Sequence, residues 1–174
     1  LGRNPSYLQQ FVRKGSPRKL EEADRRKLAE FFGVSEVELG ADPEHLRQRD
    51  LDDFIAVNNR AFHWHPEQGG LTRAAVEATM QEPWFDPEGF RMLHEGDELV
   101  GFCWTKAHRN IEPNLGEIYV IAIDPSRHGK GLGKPMTLAG LAWLADHGLE
   151  HGMLYVESDN DPANATYAAI GFSR

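Results

Sequence analysis

The stretch Ile121-Ala-Ile-Asp-Pro-Ser-Arg-His-Gly-Lys-Gly-Leu-Gly-Lys134 carries the pattern that decides the fold. An apolar segment stops at Asp124-Pro125, a turn with three glycines follows, and residues 131–147 show apolar positions at helical spacing. A strand, a glycine-rich turn and a helix in this order expose main-chain amides at a helix N-terminus, where they can bind an anion. We therefore predict a phosphate or pyrophosphate site here, with Lys130 and Lys134 adding positive charge. The glycine spacing matches neither a P-loop nor the dinucleotide fingerprint.

Strand and helix patterns alternate around this turn. The sequence predicts strands over 90–94, 99–106, 115–123 and 153–156, and helices over 51–62, 73–80, 131–147 and 162–170. The turn Glu95-Gly-Asp97 is typical of a hairpin, and Gly171-Phe172 is expected to open a further strand. This order favours a layered α/β fold.

The composition excludes several classes of protein. The 174 residues include 19 Lys and Arg against 27 Asp and Glu, a net charge of −8, which argues against a chain that binds nucleic acid or a membrane surface as a whole. The single cysteine, Cys103, excludes an intrachain disulfide framework, and the histidines lack metal-ligand spacing. With no apolar run of about 20 residues and no signal-peptide pattern at its start, we expect a cytoplasmic protein without a metal.

The charge balance changes near residue 41. Residues 1–41 hold 8 basic and 6 acidic residues, whereas the remainder is strongly acidic, and Gly40-Ala-Asp-Pro43 is a turn signal. We therefore predict an N-terminal helical segment over residues 1–41 and a larger domain over residues 42–174. Helices are predicted over 7–13, capped by Ser6, and over 20–32, ended by Gly33.

The stretch 1–11, followed by 33–40, resembles part of a helix-turn-helix domain of the phage-repressor type. The resemblance implies that Ser6, Tyr7, Gln9 and Gln10 lie on the recognition helix. The helices that precede the recognition helix in that family are absent from the sequence, so a helical pair docked on the larger domain is favoured over DNA contact. Nucleic acid is therefore not expected as a partner.

Two motifs carry a second resemblance. His128-Gly-Lys-Gly-Leu-Gly133 resembles the acetyl-CoA signature Gln/Arg-x-x-Gly-x-Gly/Ala of the GCN5-related N-acetyltransferases (GNAT), with His128 where Gln or Arg is usual. Asp159-Asn-Asp-Pro-Ala-Asn-Ala-Thr-Tyr167 resembles the helix that lies beside the coenzyme in this superfamily.

Further short motifs, in the same order along the chain, are similar to the C-terminal domain of the mycothiol synthase family over about residues 43–174. They are His65-Pro-Glu-Gln-Gly69, Glu82-Pro-Trp-Phe-Asp86, Gly101-Phe-Cys-Trp-Thr-Lys106, Leu115-Gly-Glu-Ile-Tyr-Val120 and Leu154-Tyr-Val-Glu-Ser-Asp-Asn160. The resemblance implies a GNAT-like mixed, mainly antiparallel central sheet flanked by helices, to which residues 1–41 add a helical appendage. It also implies acetyl-CoA as co-substrate and acetylation of a small primary amine, the cysteinyl amine of cysteinyl-glucosaminyl-inositol, by direct attack in a ternary complex.

The resemblance also assigns individual residues. Tyr167 is expected to be the general acid toward the coenzyme sulfur, and Glu117 to lie near the attacking amine as an electrostatic partner or as a base through water. The residues expected to bind the coenzyme are Ile121, Ala122, Ile123, His128, Gly129, Lys130, Gly131, Leu132, Gly133, Lys134, Pro135, Asn160 and Asn164. Those expected to bind the amine substrate are Glu67, Lys106, Glu117 and Tyr155.

Two alternatives stay open at this point. The acceptor is either the mycothiol precursor or another small or peptide amine, because acceptor specificity resides in loops. The chain is either an enzyme or a catalytically silent, chimeric or engineered scaffold that joins a repressor-derived piece to an acetyltransferase fragment. The second alternative rests on two expectations: a domain truncated at its C-terminal strand, and a single acetyltransferase domain where the family has two in tandem.

Overall fold

The computed structural model describes residues 22–32, 36, 43–66 and 68–173. It contains helices α1 (Glu22–Phe32), α2 (Pro43–Ala61), α3 (Arg73–Thr79), α4 (Gly133–Asp146) and α5 (Asp161–Ile170), strands β1 (Phe90–Glu95), β2 (Glu98–His108), β3 (Leu115–Ile123) and β4 (His151–Leu154), and short 3₁₀ turns at Pro87–Gly89 and Pro125–Arg127.

The chain divides into two compact units, Leu1–Leu51 and Asp52–Arg174. This division falls within α2, about ten residues after the predicted domain boundary at residues 41–42. The predicted domain boundary stays a prediction. In the first unit, α1 matches most of the helix predicted over 20–32. Arg25 and Arg26 contact Glu36 beyond the end of this helix, at 3.2 and 3.5 Å. The helix predicted over 7–13, with Ser6, Tyr7, Gln9 and Gln10, lies outside the described residues.

In the second unit a four-stranded sheet has the order β1-β2-β3-β4. The first two pairings are antiparallel and β3 pairs with β4 in parallel, which confirms the expected mixed, mainly antiparallel sheet. The predicted hairpin is also confirmed: Glu95 pairs with Glu98 across a turn in which Gly96 has a φ of +63°. Gly suits this turn because it adopts positive φ without steric cost.

The expected strand at Gly171-Phe172 is wrong. Gly171 has a φ of +111° and ends α5, with its amide bonded to the Ala168 carbonyl and the Phe172 amide bonded to the Tyr167 carbonyl. This arrangement uses the local main-chain donors as a helix C-cap, so they are not free to start a strand.

A bulge in β3 determines which way its side chains point. Thr105 pairs with Ile118 and Trp104 pairs with Val120, so Tyr119 is an extra residue in β3. The alternation of side chains along the strand shifts there, and Ile118 and Ile121 both pack against the core on the α4 side. Glu117 and Tyr119 therefore point to the opposite face of the sheet.

Strand β3 also loses its parallel neighbour at this level. β4 pairs with β3 only from Leu115 opposite His151 to Ile118 opposite Leu154. In the part of the chain that the structure describes, the segment 119–123 has no ladder partner on the β4 side. The sheet opens at this point.

Both faces of the sheet are covered. On one face α4 packs over a core formed by Cys103, Ile118, Met136, Trp143, Leu144 and Leu149. On the other face, Phe54 of α2 makes edge-to-face contacts with Phe90, Phe102 and Trp104, with centroid distances of 4.9, 4.6 and 5.9 Å. These layers hold β3 between them and leave its end accessible.

A buried carboxylate anchors the chain where β3 ends. Asp124 is 4% exposed and accepts hydrogen bonds from the Ser126 amide at 2.9 Å, the Ser126 hydroxyl at 2.7 Å and Arg60 Nε at 2.7 Å. Burial alone would raise the pKa of this carboxyl, but the bonds from Ser126 and the charge of Arg60 lower it below its usual value. The start of the glycine-rich turn is thereby tied to the C-terminal end of α2.

Replacing Gly140 should loosen the contact between α4 and the sheet. A Cβ atom there would lie 2.4 Å from Cys103 Sγ and 2.8 Å from Ile118 Cδ1. We expect Gly140→Ala to lower the free energy of unfolding by about 1–3 kcal/mol, because overpacking a core costs this much. Urea unfolding followed by circular dichroism measures the loss. Gly133→Ala is the control, since a Cβ at the start of the same helix meets nothing within 4 Å. Equal stability of the two variants would contradict the packing described.

The Asp124 anchor predicts a pH dependence. Because folding lowers the pKa of this carboxyl, its contribution is present above the unfolded pKa of about 4 and is lost as the pH falls through the folded value. We expect Asp124→Asn to cost about 1–3 kcal/mol at pH 7 and the difference from wild type to shrink below about pH 4. Denaturation midpoints measured between pH 3 and about 7 check the trend. Asp146→Asn, at an exposed carboxylate, serves as control and should change stability by less than about 0.5 kcal/mol.

Candidate active site

A groove of about 980 Å³ lies where β3 and β4 part. Its wall on the β3 side includes three successive residues of the strand, Ile121, Ala122 and Ile123. Successive side chains alternate between the faces of a sheet, so three in a row can line one groove only if the edge of the strand faces it. Main-chain groups of β3 are therefore presented to whatever occupies the groove.

The glycine-rich turn forms the end wall. Gly129, Gly131 and Gly133 line the groove, together with His128 and Leu132. Gly129 and Gly131 have φ values of +77° and +74°, a conformation that favours glycine. A Cβ at either position would meet nothing within 4 Å, so backbone conformation rather than crowding requires glycine there.

Helix α4 starts at this wall without a capping side chain. The N-cap residue Leu132 makes no side-chain hydrogen bond and the first turn holds no acidic residue. The first main-chain amides of α4 therefore lack an intrahelical partner and lie at the positive pole of the helix dipole, at the end of the groove. This arrangement suits an anion. The predicted anion-binding turn is thus open and lies on a groove.

The other residues expected to bind the coenzyme at this turn are placed differently from its glycines. Three of them are exposed and do not line the groove: Lys130, Lys134 and Pro135. The His128 ring does line it, and its Nε2 lies 3.0 Å from the Ile123 carbonyl oxygen. The ring contacts the end of β3, so its side chain is engaged with the main chain.

Arg127, which the sequence analysis did not single out, braces the turn from the other side. Its Nε lies 2.7 Å from Glu95 Oε2 and its Nη2 lies 2.8 Å from Glu98 Oε2. These two glutamates flank the turn of the β1–β2 hairpin. Hydrogen bonding to Arg127 lowers the pKa of Glu95. These pairs connect the groove wall to the hairpin, and the separation of 29 and 32 residues along the chain hides them from sequence patterns.

Helix α5 forms the opposite wall. Tyr167 lines the groove. Burial raises the pKa of its phenol, and the nearby Cys103 raises it further. The phenol is thus protonated at neutral pH and can donate a proton. Cys103 is buried, which raises its own pKa to about 12 and makes a thiolate nucleophile unsuitable here.

The two asparagines of this region behave differently. Asn160 lines the groove and caps α5, with its side-chain oxygen accepting from the Ala163 amide at 3.3 Å. Asn164 does not line the groove; its Nδ2 lies 3.0 Å from the Glu157 carbonyl oxygen and 2.9 Å from that of Asn160. In the structure Asn164 holds the loop before α5 in place.

The expected base Glu117 and the expected acceptor contact Lys106 lie on the face of the sheet opposite α4. Glu117 is 7% exposed, and its Oε2 lies 2.6 Å from His108 Nε2. Lys106 pairs with Glu117 across β2 and β3, and its Nζ lies 4.6 Å from the Trp84 ring centroid and 5.3 Å from that of Tyr119. Glu117 and Lys106 are thus brought together, although neither lines the groove itself.

Two further expected residues are not brought to this cluster by the described structure. Tyr155 is 82% exposed, follows the end of β4 and does not line the groove. Glu67 lies outside the described residues. Sequence reasoning missed Trp64, Thr137, Glu157, Asp159 and Thr166, which do line the groove.

Among the described residues, no group of three or more His, Cys, Asp or Glu side chains is arranged to hold a metal ion. None of the helices in the same part of the chain combines the length and apolar character needed to cross a membrane.

The chain is similar in sequence to curated mycothiol acetyltransferases. It is 45% identical over 152 residues to that of Mycobacteroides abscessus, covering 86% of this chain and 51% of the relative. It is 50% identical over 127 residues to that of Actinosynnema mirum, covering 72% of this chain and 42% of the relative. The chain spans about half the length of the curated relatives it matches.

The fold is shared with solved structures. The aminoglycoside N-acetyltransferase AAC(6')-Iy in complex with CoA superposes with a TM-score of 0.57 at 16% identity, covering 73% of this chain and 84% of that one. The model of the acetyltransferase (GNAT) family matches residues 43–172, which include the groove, the glycine-rich turn and the Glu117 cluster. The chain belongs to the acetyltransferase (GNAT) family.

Proposed function

We propose that this chain transfers the acetyl group of acetyl-CoA to the primary amine of a small molecule. The observation that supports this most is the groove between β3 and β4, which ends at the glycine-rich turn and the uncapped start of α4. Main-chain amides of Gly129–Gly133 fit the pyrophosphate, and the free edge of β3 at Ile121–Ile123 fits the pantetheine and the acetyl carbonyl. When bound, acetyl-CoA supplies the activated acetyl thioester.

Tyr167 fits the role of general acid. It lines the groove, and its raised pKa keeps the phenol protonated near neutral pH. As the neutral amine nitrogen bonds to the acetyl carbon and the carbon–sulfur bond breaks, the phenol gives its proton to the departing sulfur. The nitrogen then releases its surplus proton, directly or through solvent, to the phenolate, which restores the acid. Asn160 caps the helix that carries Tyr167, whereas Asn164 contributes through the loop it fixes rather than by lining the groove.

Glu117 fits the role of base. An ammonium group must lose a proton before its nitrogen can attack, and the carboxylate receives that proton directly or through a water molecule. Lys106, held over two aromatic rings on the same face, is proposed to orient the acceptor, with Glu67 and Tyr155 as further contacts. No covalent acyl-enzyme is required, because both substrates meet in one ternary complex.

We propose the cysteinyl amine of cysteinyl-glucosaminyl-inositol as the acceptor. The 45% and 50% identity to mycothiol acetyltransferases, over 152 and 127 residues, supports it. Loops that contact the acceptor would determine whether the enzyme prefers this amine to other small amines.

We further propose that the acetyltransferase domain occupies residues 42–174, with residues 1–41 as a separate appendage. The family match beginning at residue 43 supports this boundary. The net charge of −8 supports a chain that does not bind nucleic acid, and the free Cys103 thiol fits a cytoplasmic location.

A substitution in the turn tests coenzyme binding. We expect Gly131→Val to weaken acetyl-CoA binding at least about tenfold in isothermal titration, because valine disfavours the φ of +74° that shapes the turn. Gly148→Val is the matched control: Gly148 has a φ of +78°, an added Cβ there also meets open space, and it does not line the groove. Equal binding by both variants, or no binding by the folded wild type, would remove the coenzyme site.

Substitutions of the acid and the base test the chemistry. We expect Tyr167→Phe and Glu117→Gln each to lower kcat roughly 100-fold, the range for a lost general acid or base, with acetyl-CoA affinity changed less than about twofold. A thiol-release assay with cysteinyl-glucosaminyl-inositol and a panel of simple primary amines measures kcat and kcat/KM.

Glu150→Gln, at an exposed carboxylate outside the groove, is the control and should leave kcat unchanged. Wild-type turnover by either test variant would reject its assigned role. A higher kcat/KM with another amine of the panel would replace the proposed acceptor while keeping the enzyme class.

A further inference from the structure

A histidine that none of the expected site roles includes contacts the proposed base. His108 is the last residue of β2, and its Nε2 lies 2.6 Å from Glu117 Oε2. The His108 side chain is 29% exposed, whereas that of Glu117 is 9% exposed. The pair thus joins a buried carboxylate to a ring that reaches solvent.

The surroundings of the pair contain few other charges. Lys106 lies on the same face of β2, with its ammonium group held between Trp84 and Tyr119. On the β4 side Glu117 pairs with Met153. His151 lies two residues before Met153 in β4 and therefore on the same face of the sheet.

The aromatic side chains packed on this face are uncharged. Phe54 of α2 contacts Trp104, and Trp84 and Phe85 from the segment before β1 contact the same ring. Among the described residues, the titratable groups on this face of the neighbouring strands are Lys106, Tyr119 and His151.

A buried carboxylate is costly to ionise without a hydrogen-bond donor. To act as a base, Glu117 must be a carboxylate, whose oxygens only accept, so in that form the 2.6 Å contact places the hydrogen on His108 Nε2. That bond engages Oε2 and leaves Oε1 free for another proton.

We propose that His108 is a positioning residue for acetyl transfer: its Nε2–H holds Oε2 and thereby fixes the Glu117 carboxylate so that Oε1 receives the proton of the acceptor ammonium. This inference rests on the function proposed above. Before attack, the ammonium proton moves to Oε1 and leaves a neutral amine, and the carboxyl later returns the proton to solvent. No covalent bond to His108 forms or breaks.

Nuclear magnetic resonance tests the pair without turnover. In the full chain free of substrates, the ¹⁵N shifts of the His108 ring at pH 8 should show hydrogen on Nε2, with the assignment made from the resonances lost in His108→Gln. Glu117→Gln should change those shifts. A ring protonated on Nδ1, or shifts indifferent to Glu117→Gln, overturns the inference.

Kinetics test what the pair does. We expect His108→Phe, which keeps a ring but loses the donor that orients Glu117, to lower kcat at least about tenfold near neutral pH. The KM for acetyl-CoA should change less than about twofold. His108→Gln, whose amide can donate without titrating, should recover most of the kcat.

His151→Gln, which removes a histidine of the neighbouring strand β4, should leave kcat unchanged. An active wild type whose kcat is unchanged in His108→Phe overturns the inference and leaves the proposed function intact. A wild type that binds no acetyl-CoA overturns the proposed function, and calorimetry shows this before any His108 variant is assayed.

Discussion

The separation of β3 from β4 is the constraint on which the rest of the site depends. The parallel ladder stops at the Ile118–Leu154 pair, just where Tyr119 adds a residue to β3. Main-chain groups of a buried strand need partners, and beyond this point the edge of β3 faces a groove instead of another strand. A ligand that supplies hydrogen-bond partners along its length can complete the sheet there. Pantetheine, with its amide groups, has that chemistry.

The bulge has a second consequence, because it separates packing from chemistry on the same strand. Ile118 and Ile121 pack on the α4 side, where Gly140 allows the helix to approach Cys103 closely. Glu117 and Tyr119 point to the other face, among aromatic rings and the Lys106 ammonium group. One strand therefore serves the core on one side and the proposed acid–base cluster on the other.

The glycine-rich turn is rigidly placed although its glycines are conformationally permissive. Asp124 ties its start to Arg60 of α2, and Arg127 ties it to Glu95 and Glu98 of the hairpin. The partly exposed Arg127 pairs contribute little to global stability, so their effect is mainly geometric. Together with the buried Asp124 anchor they hold the turn at the groove, which would lower the entropy lost on binding of the proposed pyrophosphate.

By itself, the amino-acid sequence determined the hairpin turn and the order of strand, glycine-rich turn and helix before α4, because each follows from local spacing and residue type. Its resemblance to the GNAT family implied the mixed sheet and pointed to Glu117 and Tyr167. The strand expected at Gly171-Phe172 was wrong, because a helix cap there uses the donors that a strand would need. Only the tertiary structure decided that His108 contacts Glu117, that Arg127 bridges to the hairpin, and that Asn164 holds a loop instead of lining the groove. The first two contacts join residues on different strands and turns, and the Asn164 contacts depend on how its loop closes, so the folded geometry rather than a sequence period sets them.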